Sequence, residues 1–266
     1  MSTLEQTHSP LATFGGGALI GTLGGLIGLG GAEFRLPLLI SAFRFQPLEA
    51  IILNKAMSLV VVASALVFRT KTLPLALVVA HYGMILNLLA GSLLGAWCGA
   101  SWATRLYSRT LYRLIAVLLI GIACVLVLGH ASPRASGPLF TGALLWLTGA
   151  GAGFAIGVVA SVLGVAGGEL LIPTFILLFG VDIKLAGSLA LVVSLPTMIV
   201  GFSRYSRDQS FVVLRRSRSF IALMASGSIL GALIGGLLLA RIDTQILYPL
   251  LALILLWSAW KVWRHE

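Results

Sequence analysis

Residues 28–37, Gly28-Leu-Gly30-Gly31-Ala-Glu33-Phe-Arg35-Leu-Pro37, return 136 residues later as Gly164-Val-Ala-Gly167-Gly168-Glu169-Leu-Leu-Ile-Pro173. Gly28/Gly164, Gly31/Gly167, Glu33/Glu169 and Pro37/Pro173 fall in register. The match continues without gaps through Ile40/Ile176, Phe43/Phe179, Ala50/Ala186, Leu53/Leu189 and Ser58/Ser194. It then runs through Gly91-Ser-Leu-Leu-Gly95-Ala against Gly227-Ser-Ile-Leu-Gly231-Ala, Gly99/Gly235 and Tyr112/Tyr248. The chain is therefore an internal duplication, with halves over 1–129 and 139–266. A linker at 130–138, rich in turn-formers and without periodicity, joins them.

Both copies of the motif interrupt long apolar runs. With 59% hydrophobic and 10% charged residues, the chain lies outside the range of soluble domains. Runs of about 20 apolar residues, the length that crosses a bilayer, recur from Leu11 to Lys261. The expected fold is an all-α integral membrane protein of eight to ten transmembrane segments, each half opening on a broken or re-entrant helix. Residues 1–10 lack the basic start of a signal peptide, so the first span is expected to be retained. Four spans per half make the halves parallel and five make them inverted. Loop charges divide too evenly to decide, and the inverted arrangement is preferred because it is common among duplicated transporters.

The formal net charge of +10 sits in short loops, with a cluster at Arg204, Arg207, Arg215, Arg216 and Arg218. That is the pattern of positive-inside topology and gives no reason to expect a nucleic-acid partner. Both topologies put the C-terminus inside, and Trp257, Trp260 and Trp263 beside Lys261 and Arg264 suit an interfacial anchor. Cys98 and Cys124 lack ligand spacing and are expected to be packing residues. Gly91/Gly95/Gly99, Gly227/Gly231/Gly235, Gly17/Gly21/Gly25 and Gly149/Gly153/Gly157 each draw a groove of small residues along one helix face. Such grooves let helix backbones approach closely, within one chain or between the two copies of a homodimer.

The remaining polar residues are the candidate site. Backbone groups freed by a break in a membrane helix are tolerated only against protein or a wet cavity, so Gly31, Gly167 and Gly168 should face inward. Each break is followed by a half-helix with Glu33 or Glu169 at its start and Pro37 or Pro173 expected in its first turns. Helix N-termini attract anions. The glutamates either cap these ends or take up protons as an anion enters, since a carboxylate deep in a membrane usually has a functional reason. Arg35, with Leu171 as its counterpart, either pairs with Glu33 or contacts the anion. Asn54, Lys55 and Ser58 make a polar patch on the next helix. The second half offers Ser188 and Ser194 but Ala190 and Leu191 in place of Asn54 and Lys55. Lys55 either binds substrate or pairs with Glu33 or Glu49. His81 is a candidate for a proton path, and Asn87 for an interhelical hydrogen bond.

At these residues the chain resembles the sulfite exporter TauE/SafE family, also described as the toluene-sulfonate uptake permease group. The resemblance rests on Gly28–Pro37 and Gly164–Pro173 followed by Ala50–Ser58 and Ala186–Ser194, and extends from Leu11 to Trp263. It implies a multi-pass inner-membrane transporter of small anions such as sulfite, sulfonates or related organosulfur compounds. The second motif departs from the first in carrying Ala166 where the first has Gly30, so the two breaks need not be equally deep. The partners expected are the anion, protons and the lipid bilayer, with no cofactor. A channel, a membrane-embedded enzyme and a non-transporting scaffold are the competing classes. Against an enzyme, no H-E-x-x-H occurs, no Lys-Ser/Thr follows the glycine stretches, and no nucleophile stands beside a base.

Overall fold

The computed structural model describes residues 9–27, 31–69, 79–131, 138–181, 183–239 and 244–264. The first half contains α1 (Pro10–Ile27), α2 (Ala32–Ser41), α3 (Pro47–Arg69), α4 (Tyr82–Ala103) and α5 (Ser108–Ala131). The second contains α6 (Gly142–Leu163), α7 (Gly168–Phe179), α8 (Ile183–Tyr205), α9 (Arg218–Leu239) and α10 (Thr244–Trp263). A 3-10 turn, Gln209–Val212, and one helical turn, Val213–Arg216, connect α8 to α9. No strand occurs among the described residues. There, α3, α4, α6, α8 and α9 are long and apolar enough to cross a membrane.

The duplication holds to the residue. Helices α7, α8, α9 and α10 start at Gly168, Ile183, Arg218 and Thr244, each 136 positions after Ala32, Pro47, Tyr82 and Ser108. Even a left-handed turn residue is shared: Gly180 has φ 69°, and Arg44, at the equivalent position, φ 55°.

The halves are inverted, as their contacts show. Asn54 and Lys55 of α3 bond to Leu163 and Ala160 of α6, and Ile51 lies against Gly164, so α3 and α6 are antiparallel. Gly91, Gly95 and Gly99 of α4 meet Ala150, Phe154 and Val158 in the same order, which makes α4 and α6 parallel. Ser92 meets Thr197 and Ser101 meets Arg204, so α4 and α8 are also parallel. Helix α3 consequently runs opposite to its own counterpart α8. The pair α5 and α10 agrees, because Arg113 near the start of one lies over the Trp263 ring at the end of the other.

The small-residue grooves hold the halves together. Gly17 and Gly21 of α1 abut the Met224 and Ser228 backbone of α9, and Gly227 and Gly231 return the contact to Phe14 and Ala18. The equivalent seam joins Gly153 and Gly157 of α6 to Leu88 and Ser92, and Gly91 and Gly95 of α4 to Ala150 and Phe154. Each half thus places its first helix against the fourth helix of the other, and these grooves are filled within one chain. Cys98 and Cys124 differ from expectation: both are exposed on the outside of the bundle. In helices apolar all round, composition does not mark the inward face.

Most of the described basic residues outside the centre gather at one end. Arg216 bonds Glu49 at 3.0 Å, Arg204 bonds Ser101 at 2.7 Å, and Arg204 and Arg207 lie over Trp97. Lys261 and Arg264 pack on Trp257 and Trp260 there. The start of α3, the ends of α4, α8 and α10, and the starts of α5 and α9 therefore share one face.

Candidate functional site

The interrupted elements are hairpins. Helix α6 parallels α8, so the chain must return between them, and α7 provides the return. Leu139 N–H donates to Leu178 O (3.1 Å) at the base of the hairpin, Phe179 packs on Gly149, and Gly167 lies against Ile156 and Ala160 near its tip. Gly164 (φ 66°) and Gly167 (φ 77°) make the reversal in the left-handed region that favours glycine. Gly31 (φ 72°) holds the equivalent place in the first hairpin, against Ile20 O and Gly24. Gly28 and Gly30 lie outside the described residues. At 10 and 12 residues, α2 and α7 extend about 15–18 Å, roughly half of a hydrocarbon core.

The two tips meet deep in the bundle. Every residue from Gly31 to Pro37 and from Ala160 to Glu169 is buried. Helices α3 and α8 cross where Leu59 and Val62 cluster with Leu195 and Met198 around Ala166 of the second tip. Asn54 staples the tips together, its Nδ2 donating to Ala32 O (2.9 Å) and Leu163 O (3.1 Å). Glu33 and Glu169, at the second position of their half-helices, bring their carboxyl groups side by side, each also next to its own backbone amide. Arg35, wholly buried, lies beside Glu33.

The prolines differ from expectation. Pro37 and Pro173 are the sixth residues of α2 and α7, beyond the amides that lack partners anyway. Each removes the amide that would bond the carbonyl of Glu33 or Glu169.

Lys55 does not pair with either carboxylate proposed for it. Glu49 bonds Arg216. The Lys55 ammonium donates to Ala160 O (3.3 Å) and Ser161 Oγ (3.2 Å), and Gly201 leaves room for its chain. Tyr205 O–H donates to Ser161 O (2.9 Å). Ser161 and Tyr205 were missed in the sequence. Both depart from the repeat, Ser161 standing opposite Gly25 and Tyr205 opposite Arg69, and a search for polar departures would have found them.

Ser58 and Ser194, equivalent residues beside the crossing of α3 and α8, are buried, as are Gly168 and Ser188. The structure does not bring His81 to the glutamates. It precedes α4 at the end far from the basic face, about 16 Å along the helix from Ser92. Asn87 Nδ2 donates to Trp146 O (3.0 Å), tying α4 to α6. Among the described residues no group of three His, Cys, Asp or Glu converges as a metal site.

These features define a multi-pass membrane protein of two inverted repeats whose re-entrant hairpins meet at buried charged residues. The family model for the sulfite exporter TauE/SafE matches residues 2–126 and 149–266. The chain belongs to that family, one of membrane transporters for sulfur-related anions. No curated protein and no solved structure gave a match.

Proposed function

We propose that the protein is a secondary transporter for a small sulfur-containing anion, such as sulfite or a small sulfonate, bound between the hairpin tips and exposed alternately to each side of the inner membrane. The observation that carries this reading is the meeting of two re-entrant tips at Glu33, Glu169, Arg35, Asn54 and Lys55, all buried. Short helices whose ends converge inside an inverted repeat form substrate sites in such carriers. Burial from both faces makes this an occluded arrangement, from which rocking of one half against the other opens either side.

Arg35 and Lys55 supply positive charge for the anion, and Ser58 and Ser194 supply hydroxyls. Two carboxylates buried side by side are costly as a doubly charged pair, and an entering anion adds to that cost. Proton uptake by the pair offsets it and couples the anion to a proton gradient. The basic face is cytoplasmic by the positive-inside pattern, which places the end of α10 inside.

The test is flux of labelled sulfite into liposomes carrying the purified protein, with sulfate and a small sulfonate as competitors. It is run with and without an imposed pH gradient. Saturable flux toward the alkaline side is expected, with Glu33→Gln and Glu169→Gln inserting normally but losing the response to pH. Flux of these anions no greater than in empty liposomes would sink the substrate assignment. Unaltered pH dependence in both variants would leave the glutamates as helix caps.

A further inference from the structure

The tryptophans of the basic face are not all served alike. Arg113, Lys261 and Arg264 each lie over a ring of their own, Trp263, Trp257 and Trp260. Trp97 carries two cations, the guanidinium carbons of Arg204 and Arg207 standing 5.8 and 5.3 Å from its centroid. A second cation on a ring that already has one brings like charges together and calls for a counter-ion.

Among the described residues no carboxylate supplies it. Arg204 spends its Nε–H on Ser101 Oγ (2.7 Å), and neither arginine has another side-chain hydrogen bond or an ion pair there. Asp208, next to Arg207 in the chain, accepts the Ser210 amide instead (2.8 Å). The contrast on the same face is Arg216, which has Glu49. Arg207 is exposed and Arg204 half-buried, and the terminal amines of both remain as donors for an anion from outside the chain.

Toward the membrane centre this corner is flanked by apolar surface. Trp97, 38% exposed, lies on the outward side of α4 in line with Leu94, Ala90 and Leu86, all exposed. From Trp97 to Leu86 the helix extends about 16 Å, roughly one leaflet's share of the hydrocarbon core, and a tryptophan at the end of a span sits at headgroup level. A soluble anion would use the two arginines alone. An anion that trails an acyl chain uses the arginines, the ring and the apolar strip in one pose.

We propose that the corner formed by Trp97, Arg204 and Arg207 binds one anionic phospholipid of the leaflet on the basic side. Its phosphate lies against the two guanidiniums and an acyl chain runs along Leu94, Ala90 and Leu86. Phosphatidylcholine offers the same phosphate and chains but adds a cation beside two others, so the corner selects for net negative charge. The site is independent of the substrate proposed above.

The full-length protein, stripped of lipid in detergent, is titrated with phosphatidylglycerol and with phosphatidylcholine of the same chains. Bound lipid is counted by native mass spectrometry. Saturable retention of one phosphatidylglycerol per chain, at least tenfold tighter than phosphatidylcholine, is expected. Arg207→Gln should weaken it about fivefold, the worth of one basic residue at an anionic membrane surface, and Arg204→Gln at least as much. Arg264→Gln, which empties a singly served ring on the same face, should leave it unchanged, and excess inorganic phosphate should not displace the lipid.

Equal retention of the two lipids, or undiminished phosphatidylglycerol binding in Arg207→Gln, would overturn the site. Displacement by inorganic phosphate would overturn it too, assigning the arginines to a soluble anion. The Arg207 side chain makes no hydrogen bond to the described residues, so its variant decides the matter even if Arg204→Gln, which loses the Ser101 contact, does not fold.

Discussion

The two hairpins share a fold but not a set of anchors. The end of α6 receives Asn54 Nδ2 at Leu163 O, the Lys55 ammonium at Ala160 O and the Tyr205 hydroxyl at Ser161 O. For the first hairpin the α8 residues equivalent to Asn54 and Lys55 are Ala190 and Leu191, whose side chains cannot donate to a carbonyl. Backbone symmetry is kept, since the glycine seams and helix starts correspond across the halves. Side-chain symmetry is broken at the centre. The duplicated scaffold brings its two tips together on a pseudo-two-fold axis, and Lys55, opposite Leu191, puts a cation on one side of it only. For the anion proposed to bind between the tips, a charge off the axis selects one seat over its symmetry mate.

The strongest way to break this comparison is to attack what the halves share. A side chain at Gly95 would enter the backbone of Phe154, and one at Gly231 that of Ala18. Gly95→Leu and Gly231→Leu should therefore each cost more than about 3 kcal/mol, since overpacking against backbone finds no rotamer relief. Neither variant should give a monodisperse peak in detergent chromatography. Gly151→Leu is the control, for nothing lies within 4 Å of that position on α6. Tolerance at Gly231 with loss at Gly95 would show the two seams to be energetically unequal.

A smaller effect is expected where the halves differ. Lys55→Met removes a buried cation that bonds only neutral oxygens, and should raise the KM for anion flux about tenfold or more, the worth of one charge-assisted hydrogen bond. Melting temperature should change little, because a methionine fills the same space. Adding Leu191→Lys should not restore affinity. Ala65 puts a methyl group at the place that Gly201 leaves open to Lys55, and Gly25 offers no hydroxyl where Ser161 accepts the ammonium. A normal KM in Lys55→Met would remove this residue from the anion site and leave the asymmetry as a structural tether.

Much of this was legible in the sequence because the repeat carries it. Glycine, glutamate and proline in register located both tips, and small residues four apart marked both seams. What repetition cannot convey is which elements touch across the axis. The inverted sense of the halves emerged only from pairings such as Asn54 with Leu163 and Ser92 with Thr197, which are distant in sequence. Lys55 illustrates the limit: its residue type suggested a carboxylate partner, yet its contacts are a carbonyl and a hydroxyl on α6. The hairpin geometry was similarly hidden, since an interrupted apolar run has the same composition whether the chain continues or turns back.

The smallest effect concerns a backbone position that the halves share with different residues. Arg44 and Gly180 both take positive φ in the turn between half-helix and crossing helix, and only glycine does so without a steric cost of about 1–2 kcal/mol. Arg44→Gly relieves that cost but gives the unfolded chain more freedom, which opposes it by about 0.5–1 kcal/mol. The net gain should be about 0.5–1 kcal/mol, a rise of roughly 1–4 °C in melting temperature, with flux unchanged because the side chain is exposed on the basic face. A fall in melting temperature would mean that the Arg44 side chain holds the turn more strongly than its backbone strains it. The two halves would then have reached the same turn by different means, glycine in one and side-chain contact in the other.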